Sequence, residues 1–195
     1  MKRLFDIFFS LIVLAAFLPF GILIALIILL TSKGGIFYVQ ERIGKNEKPF
    51  GLFKFRTMRK DADKLGKLTI GKRDPRITGI GYFLRSYKLD EFPQFINVLF
   101  GTMSVVGPRP EVKEYVDLYS AAQKQVLNVK PGITDYASLE YFEENELLGK
   151  SADPRKTYIE EIMPAKLELN KQYANNPSIG QDLKIVWKTF LKVVS

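Results

Sequence analysis

The pattern of apolar and charged residues sets a long N-terminal segment apart from the rest of the chain. Residues 7–30 form an uncharged apolar run that is long enough to enter a bilayer. Pro19 lies in the middle of this run, where a proline removes a helical hydrogen bond and bends the helix. We therefore predict that residues 1–33 are a membrane anchor built as a helix, a break at Pro19 and a second helix.

Charges on both sides of the apolar run favour a re-entrant path for this anchor. Lys2 and Arg3 precede the run, and several lysines and arginines follow it from Lys33 onwards. A spanning helix normally has its lysines and arginines biased to one side of the membrane. Two arms of about 12 residues would each reach about 18 Å, which is too short to cross a hydrocarbon core of about 30 Å. The anchor is thus expected to dip into one leaflet and return to the same face. An ordinary kinked single-pass helix is the alternative.

Residues 34–195 show shorter patterns that predict a small globular domain of the α/β class, with more helix than sheet (α+β, helix-rich). Residues 36–40 and 50–58 are rich in aromatic and β-favouring residues on either side of a turn, which predicts a short β-hairpin. The second strand of this hairpin places Lys54 and Arg56 on one face. These two cations are either ligands for an anion or part of a solvated edge.

Helical spacing of apolar residues recurs along the rest of this domain. We predict an extended segment over residues 133–140, and helices or helical turns over residues 59–67, 82–87, 90–100, 111–129, 154–174 and 181–194. In the last helix, lysines recur at every fourth residue beside Trp187 and Phe190, which is typical of an amphipathic helix at a membrane interface. A terminal helix that packs on the core and exposes a solvated lysine edge is an equally open alternative.

Two adjacent carboxylates, Asp90 and Glu91, stand where the helix over residues 90–100 would begin. Asp90 would lie near the N-cap of this helix and Pro93 in its first turn, where a missing N–H costs little. Backbone donors at a helix N-terminus favour anions, phosphate included. The pair is therefore consistent either with a simple cap or with phosphate chemistry, and the preceding helical turn would carry Arg85 towards it.

Arg109 stands between two prolines, Pro108 and Pro110. Because proline restricts the backbone on both sides, this guanidinium is held by a stiff loop. Planar, bidentate binding of phosphate is favoured when the arginine is already in place. A purely structural turn also explains the Pro-Arg-Pro sequence.

The composition of the chain narrows the chemistry that it can perform. The 195 residues carry a formal net charge of +8, which favours a polyanionic partner such as anionic lipid, nucleic acid or a phosphorylated small molecule. The chain has no cysteine and no histidine, so disulfides, His-based triads and ordinary zinc sites are excluded. Carboxylates, lysine, tyrosine or hydroxyl groups are left for catalysis. Any metal should be an oxygen-liganded ion, with Mg2+ the first choice.

Several short motifs occur in a fixed order along the chain. They are Phe53-Lys-Phe-Arg-Thr-Met58, Leu84-Arg-Ser86, Leu89-Asp-Glu-Phe-Pro-Gln94, Met103-Ser-Val-Val-Gly-Pro-Arg-Pro110 and Lys130-Pro-Gly-Ile-Thr134. Together with the proline-interrupted apolar run, this ordered set resembles the bacterial sugar transferase family, the small monotopic phosphoglycosyl transferases. The resemblance is strong over residues 1–134 and looser beyond them.

The resemblance implies an enzyme that transfers a sugar phosphate from a UDP-sugar to a membrane polyprenol phosphate, such as undecaprenyl phosphate, and releases UMP. It implies that Asp90 is the nucleophile that carries the phospho-sugar, and that Glu91 supports Mg2+ and the second half-reaction. Both carboxylates would hold the metal. It implies phosphate-binding roles for four cations: Lys54, Arg56, Arg85 and Arg109. It also implies a place in the bacterial inner membrane, with the catalytic domain facing the cytoplasm, at the start of a cell-surface glycan or glycoconjugate pathway.

The chain departs from many members of this family after Thr134. Those relatives continue with a Gly-x-x-Gln-x-x-Gly-Arg motif, whereas residues 135–146 of this chain contain no arginine. Sugar recognition therefore differs from that of those relatives, or a residue elsewhere takes this part. The identity of the sugar and the oligomeric state are left open.

A membrane-anchored basic module that binds anionic lipid or another polyanion without catalysis is the alternative function. The net charge of +8 fits such a module, but the sequence has no nucleic-acid-binding motif, and we expect no nucleic-acid partner. The expected partners are a UDP-sugar, a polyprenol phosphate and membrane lipids, with Mg2+ as the cofactor.

Overall fold

The computed structural model describes residues 1–62 and 74–194, and these form a helix-rich α/β fold with short sheets. The strands are β1 Phe37–Ile43, β2 Pro49–Phe55, β3 Ser104–Val106 and β4 Gly132–Thr134. The α-helices are α1 Lys2–Thr31, α2 Gly79–Ser86, α3 Gln94–Phe100, α4 Lys113–Val116, α5 Tyr136–Glu140, α6 Glu144–Gly149, α7 Pro154–Thr157, α8 Met163–Asn175 and α9 Ile179–Val194. Most of the helix predicted over residues 59–67 lies outside the described residues.

The apolar N-terminal run forms one long helix, α1, which continues through Pro19. The predicted break is therefore not seen as an interruption of this helix. The length and composition of α1 suit a membrane-crossing helix, and 11% of its most apolar window is buried. The re-entrant path stays a prediction.

Charged residues fasten the start of α1 to the rest of the fold. Lys2 Nζ donates to Asp182 Oδ2 at 2.6 Å, and Asp182 is completely buried in α9. Arg3 Nη2 donates to the carbonyl of Leu99 at 2.7 Å. Asp6 is buried and accepts the backbone N–H of Val105 at 3.0 Å. The cations that precede the apolar run thus bind the globular domain.

The other end of α1 packs against the same domain. Ile24 and Ile28 are buried in a cluster with Phe55 of β2 and Leu84 of α2. Thr31 then leads into β1 through a short turn. Both ends of α1 therefore contact the domain that carries the remaining residues.

The predicted β-hairpin is confirmed, whereas the second sheet has no clear signal in the sequence. Strands β1 and β2 pair antiparallel, with Tyr38 opposite Lys54. Strands β3 and β4 pair in parallel and have only three residues each. At this second pair, a Cβ built on Gly132 would lie 2.1 Å from the backbone nitrogen of Gly107, so the close approach requires glycine.

Two predictions between residues 111 and 140 are wrong. The single helix over 111–129 is replaced by α4 and a separate 3₁₀ segment, Gln123–Asn128. Ser120 and Gln123 cap each other across this junction, because each side chain accepts the other's backbone N–H and so restarts the helical path. The segment over 133–140 is extended only as far as Thr134, after which α5 begins.

The two C-terminal helical predictions are confirmed. Residues 154–174 form α7 and α8, joined by a π-helical turn at Tyr158–Ile162. Pro164 follows this turn and has no N–H to complete a regular α-helical ladder there, which suits a wider turn. In α9, Ile185 is buried while Trp187 and Phe190 are more than half exposed.

Candidate active site

The two carboxylates lie in a 3₁₀ turn, Leu89–Glu91, which follows Lys88 in the left-handed conformation at φ 55°. Helix α3 begins only at Gln94, with Pro93 at its N-cap position. The prediction that Asp90 caps this helix is therefore wrong. Pro93 has no N–H to bond back to the carbonyl of Leu89, so the chain makes a tighter turn before the α-helix starts.

Glu91 is paired with two cations at this turn. Arg109 Nη2 donates a short hydrogen bond to Glu91 Oε1, and Lys54 Nζ lies 3.5 Å from the same oxygen. Burial opposes ionisation of Glu91, but the charges of Arg109 and Lys54 outweigh it and hold its pKa well below the ordinary value. Glu91 is therefore an ionised carboxylate held by cations.

The pKa of Asp90 is shifted in the opposite direction, although Asp90 directly precedes Glu91 in the chain. It is 7% exposed, and burial followed by the charge of Glu91 raises its pKa. Lys54 and Arg85 act against this rise. The pKa values of the two neighbouring carboxyl groups are therefore shifted in opposite directions, which is a common feature of catalytic sites.

Arg109 is positioned by its backbone as well as by its prolines. Its backbone N–H donates to Asp135 Oδ2 at 3.0 Å, and its Nη1 donates to the carbonyl of Ile133 at 3.3 Å. Asp135 is completely buried and also caps α5 by accepting the N–H of Ser138. Sequence reasoning missed Asp135, although an aspartate directly before a helix is a recognisable N-cap.

A second group of residues positions the Pro-Arg-Pro loop through contacts with Pro110 and Glu111. Arg42 of β1 donates to the carbonyl of Pro110 at 3.0 Å and to Glu111 Oε1 at 2.9 Å. The hydroxyl of Tyr158 donates to the other oxygen of Glu111. These contacts link the hairpin, the loop and the π-helical turn, and sequence reasoning did not identify any of them.

The structure separates the remaining predicted cations into two positions. Arg85 of α2 lies near enough to Asp90 to favour its ionised form. Arg56 donates to the carbonyls of Gly35 and Phe37 at 3.0 and 3.1 Å, so it contacts the start of the hairpin. Arg56 is therefore not brought to the carboxylate pair directly.

All six predicted site residues line one cavity of about 590 Å³. Its lining joins the hairpin, the carboxylate turn, the Pro-Arg-Pro loop and helices α5, α6, α8 and α9. A cavity of this size is in the range of small-molecule sites. Lysine and arginine beside one ionised carboxylate give the centre of the cavity a local excess of positive charge, which suits a phosphorylated ligand.

The carboxylate pair has the donor chemistry that Mg2+ requires. Mg2+ is usually held by one or two carboxylates, substrate phosphates and water. Among residues 1–62 and 74–194 there is no group of three carboxylate or other metal-binding side chains, so protein ligands alone would not complete a coordination shell. Asp90 and Glu91 fit the smaller ligand set that goes with a phosphate substrate.

Comparison with known proteins gives consistent matches over the whole chain. The sequence model of the bacterial sugar transferase family matches residues 1–195. Over 133 residues the chain is 44% identical to a putative undecaprenyl-phosphate N-acetylgalactosaminyl 1-phosphate transferase of Bacillus subtilis (strain 168), a match that covers 68% of this chain and 70% of the relative.

Two further relatives differ in length. A UDP-glucose:undecaprenyl-phosphate glucose-1-phosphate transferase of Klebsiella pneumoniae is 40% identical over 98% of this chain, which spans only 39% of that relative. The exopolysaccharide production protein PSS of Rhizobium leguminosarum bv. phaseoli is 38% identical over 97% of this chain, which spans 92% of that relative. The chain therefore belongs to the bacterial sugar transferase family and is an enzyme of the phosphoglycosyl transferase class.

Proposed function

We propose that this enzyme transfers a sugar 1-phosphate from a UDP-sugar to undecaprenyl phosphate and releases UMP. The observation that carries the proposal is the pair Asp90 and Glu91, which lines one cavity together with Lys54, Arg85 and Arg109. The names of the relatives give the same pair of substrates, a UDP-sugar and undecaprenyl phosphate. Two substrates that each carry phosphate need the counter-charge that this cavity contains.

The first half-reaction uses Asp90 as the nucleophile. A carboxylate oxygen of Asp90 attacks the phosphorus that bears the sugar, an oxygen–phosphorus bond forms, and the bond from that phosphorus to the UMP oxygen breaks. A covalent phospho-sugar on Asp90 and free UMP result. A carboxylate suits this role because the chain has neither cysteine nor histidine.

The second half-reaction returns Asp90 to its starting state. A phosphate oxygen of undecaprenyl phosphate attacks the same phosphorus, and the bond to Asp90 breaks. The product is an undecaprenyl diphosphate sugar, and the aspartate leaves as a carboxylate. Glu91 differs from Asp90 in its pKa and stays ionised, so we assign it to support this step rather than to attack.

The cations bind and orient the phosphates in both steps. Arg109 is pre-placed by Asp135 and by its two prolines, and Lys54 lies across Glu91 from it. Arg85 lies beside Asp90, and Arg56 lines the same cavity from the hairpin. Pre-placed charges of this kind stabilise the charge that develops during phosphoryl transfer.

Mg2+ is the proposed cofactor, with Asp90 and Glu91 as its protein ligands. When bound, it would neutralise charge on the substrate phosphates and favour the ionised form of the carboxylates. Burial raises the pKa of Asp90, and a bound cation would act against this rise together with Lys54 and Arg85.

We propose that the enzyme lies on the cytoplasmic face of the bacterial inner membrane, with α1 re-entrant. Support comes from both ends of α1, since Lys2 and Asp6 at one end and Ile28 at the other contact the same domain. A straight membrane span would separate these ends by the thickness of the bilayer. The exposed apolar and lysine-bearing face of α9 suits the same membrane surface. The product would start a cell-surface glycan or glycoconjugate.

The proposal is tested by measuring UMP release from a panel of UDP-sugars in detergent or lipid nanodiscs. We expect release from at least one UDP-sugar, dependent on undecaprenyl phosphate and lost when the metal is chelated with EDTA. Restoration by added Mg2+ is the control. If no UDP-sugar yields UMP under these conditions, the proposed reaction is wrong.

A further inference from the structure

The lining of the cavity includes a second group of side chains, here called the second end of the cavity, which the proposed phosphate chemistry does not use. This end is formed by α5, α6 and α8, and α5 packs directly against α8. Ser138 of α5, Glu144 of α6, and Lys166 and Asn170 of α8 all line it. Ser138 and Glu144 belong to residues 135–146, where the chain departs from the arginine motif of many relatives.

Among the residues that the structure describes, two polar atoms at this end find no hydrogen-bond partner. Asn170 is 4% exposed, and its Oδ1 is buried without a partner, as is Oγ of Ser138. A buried polar group without a partner destabilises a fold, so native proteins normally satisfy such groups. Ser138 and Asn170 both line the cavity, so a small rotation of either side chain would let a bound molecule supply the missing partner.

The charges at this end are paired with each other, which distinguishes it from the centre of the cavity, where cations are in excess. Glu144 and Lys166 form an ion pair in which both side chains are mostly buried, so their charges are largely matched. Lys166 precedes Asn170 by one helical turn and lies on the same side of α8. Glu91 first, and Glu144 in smaller part, raise the pKa of Arg109, which places Glu144 beside the phosphate-binding centre.

We propose that Ser138 and Asn170, with the Glu144–Lys166 pair beside them, form the subsite that binds the sugar of the UDP-sugar. The inference rests on the proposed function. A sugar carries several hydroxyl groups and no charge, so it can donate to the amide, hydroxyl and carboxylate oxygens that meet here. An apolar polyprenyl tail would leave those oxygens without partners. Asn170 and Ser138 are thus specificity-determining residues for a reaction whose chemistry takes place at Asp90.

The nucleoside of the substrate is better suited to the opposite end of the cavity. There the guanidinium of Arg56 lies 5.7 Å from the ring centre of Tyr38, and both residues line the cavity. A flat pyrimidine can stack on such an aromatic and guanidinium surface. The two phosphates, which link the nucleoside to the sugar, would then lie between the two ends, beside Lys54 and Arg109.

The test compares the binding of UDP with that of UDP-glucose and UDP-N-acetylgalactosamine. The full-length chain with Asp90→Asn serves as the parent, so that no sugar nucleotide is consumed. Adding Asn170→Leu or Ser138→Ala should weaken the binding of at least one UDP-sugar by about threefold to tenfold, the range for one lost hydrogen bond, and leave the binding of UDP unchanged. Gln172→Ala is the matched control, because Gln172 is exposed on α8 and does not line this cavity.

Thermal unfolding separates a binding role from a structural role. Because Asn170 Oδ1 has no partner within the described residues, Asn170→Leu should leave the unfolding midpoint unchanged or raise it. An equal loss of affinity for UDP and the UDP-sugars, no loss for either UDP-sugar, or a lowered midpoint would overturn the subsite. A parent that binds UDP but neither UDP-sugar would also overturn it, whereas a wild-type chain that releases no UMP counts against the proposed function itself.

Discussion

At the scale of single residues, Asp90 and Glu91 show how two neighbouring carboxyl groups acquire different properties. Glu91 meets Arg109 and Lys54, which stabilise its charge, while Asp90 is buried beside the charge of Glu91. The order of motifs predicts that the carboxylate pair lies near Lys54, Arg85 and Arg109, whereas Arg56 instead contacts the start of the hairpin. The supporting residues could not be predicted, because Asp135 acts on Arg109 across 26 positions of the chain. Nothing in the local sequence indicates that contact.

Asp135 should therefore matter for activity even though it does not touch the carboxylate pair. We expect Asp135→Ala to lower kcat/KM for the UDP-sugar by about tenfold to a hundredfold, because a small displacement of a phosphate-binding group is costly. The steady-state rate of UMP release measures the effect.

Asp153→Ala is the control for Asp135→Ala. Asp153 caps α7 by accepting the N–H of Lys156 at 3.0 Å. Asp153→Ala therefore also removes a helix cap, which lowers the free energy of unfolding by about 1 kcal/mol, but it does not affect Arg109. Equal losses of activity in the two variants would show that Asp135 acts through stability alone.

At the scale of elements, the sequence predicts those with a strong local pattern. The hairpin and α9 have clear apolar alternation or helical spacing, and both are found as expected. The parallel pair β3 and β4 has three residues in each strand and a long connection, so it has little local signal. The prediction of one helix over residues 111–129 was wrong because Ser120 and Gln123 form a cap inside an otherwise helical pattern.

Glu111 links strand β1 to the π-helical turn, and its loss should destabilise the fold in a pH-dependent way. It accepts from Arg42 of β1 and from Tyr158 in the π-helical turn. Glu111→Gln is expected to lower the free energy of unfolding at pH 7 by about 1–3 kcal/mol, since Arg42 then loses its charged partner. Chemical denaturation measures this change.

The pH dependence of that loss follows from the pKa of Glu111. Burial opposes its ionisation, but Arg42 and Lys166 outweigh burial and lower the pKa in the folded protein. The stabilisation is therefore complete above the unfolded-state pKa of about 4.3 and is lost as pH falls through the lower folded-state pKa. The difference between wild type and Glu111→Gln should shrink below about pH 4. A difference that is constant from pH 7 to pH 3 would contradict this account.

At the scale of the whole molecule, α1 packs at both ends against the rest of the fold. Lys2, which the sequence suggests as a flanking charge at the membrane, instead reaches the buried Asp182 near the other end of the chain. This contact could not be predicted, since the two residues are 180 positions apart. It places the N-terminus beside the catalytic domain.

The topology of the anchor can be tested with single cysteines, because the natural chain has none. Leu4→Cys and Lys33→Cys place a thiol at each end of α1, and Leu118→Cys marks the exposed surface of the catalytic domain. A membrane-impermeant maleimide should label all three in inverted membrane vesicles and none in intact cells. Labelling of the Leu4 or the Lys33 position from outside would show that this end of α1 is not on the cytoplasmic side.

The central claim is that Asp90 carries the sugar phosphate during the reaction. The most direct measurement is the intact mass of the protein after incubation with a substrate UDP-sugar and Mg2+ in the absence of undecaprenyl phosphate. We predict an added mass of one sugar phosphate, located on Asp90 by peptide mapping and discharged when undecaprenyl phosphate is supplied. Asp90→Asn should show neither the adduct nor turnover. An adduct that persists in Asp90→Asn, or turnover that survives this substitution, would contradict the account.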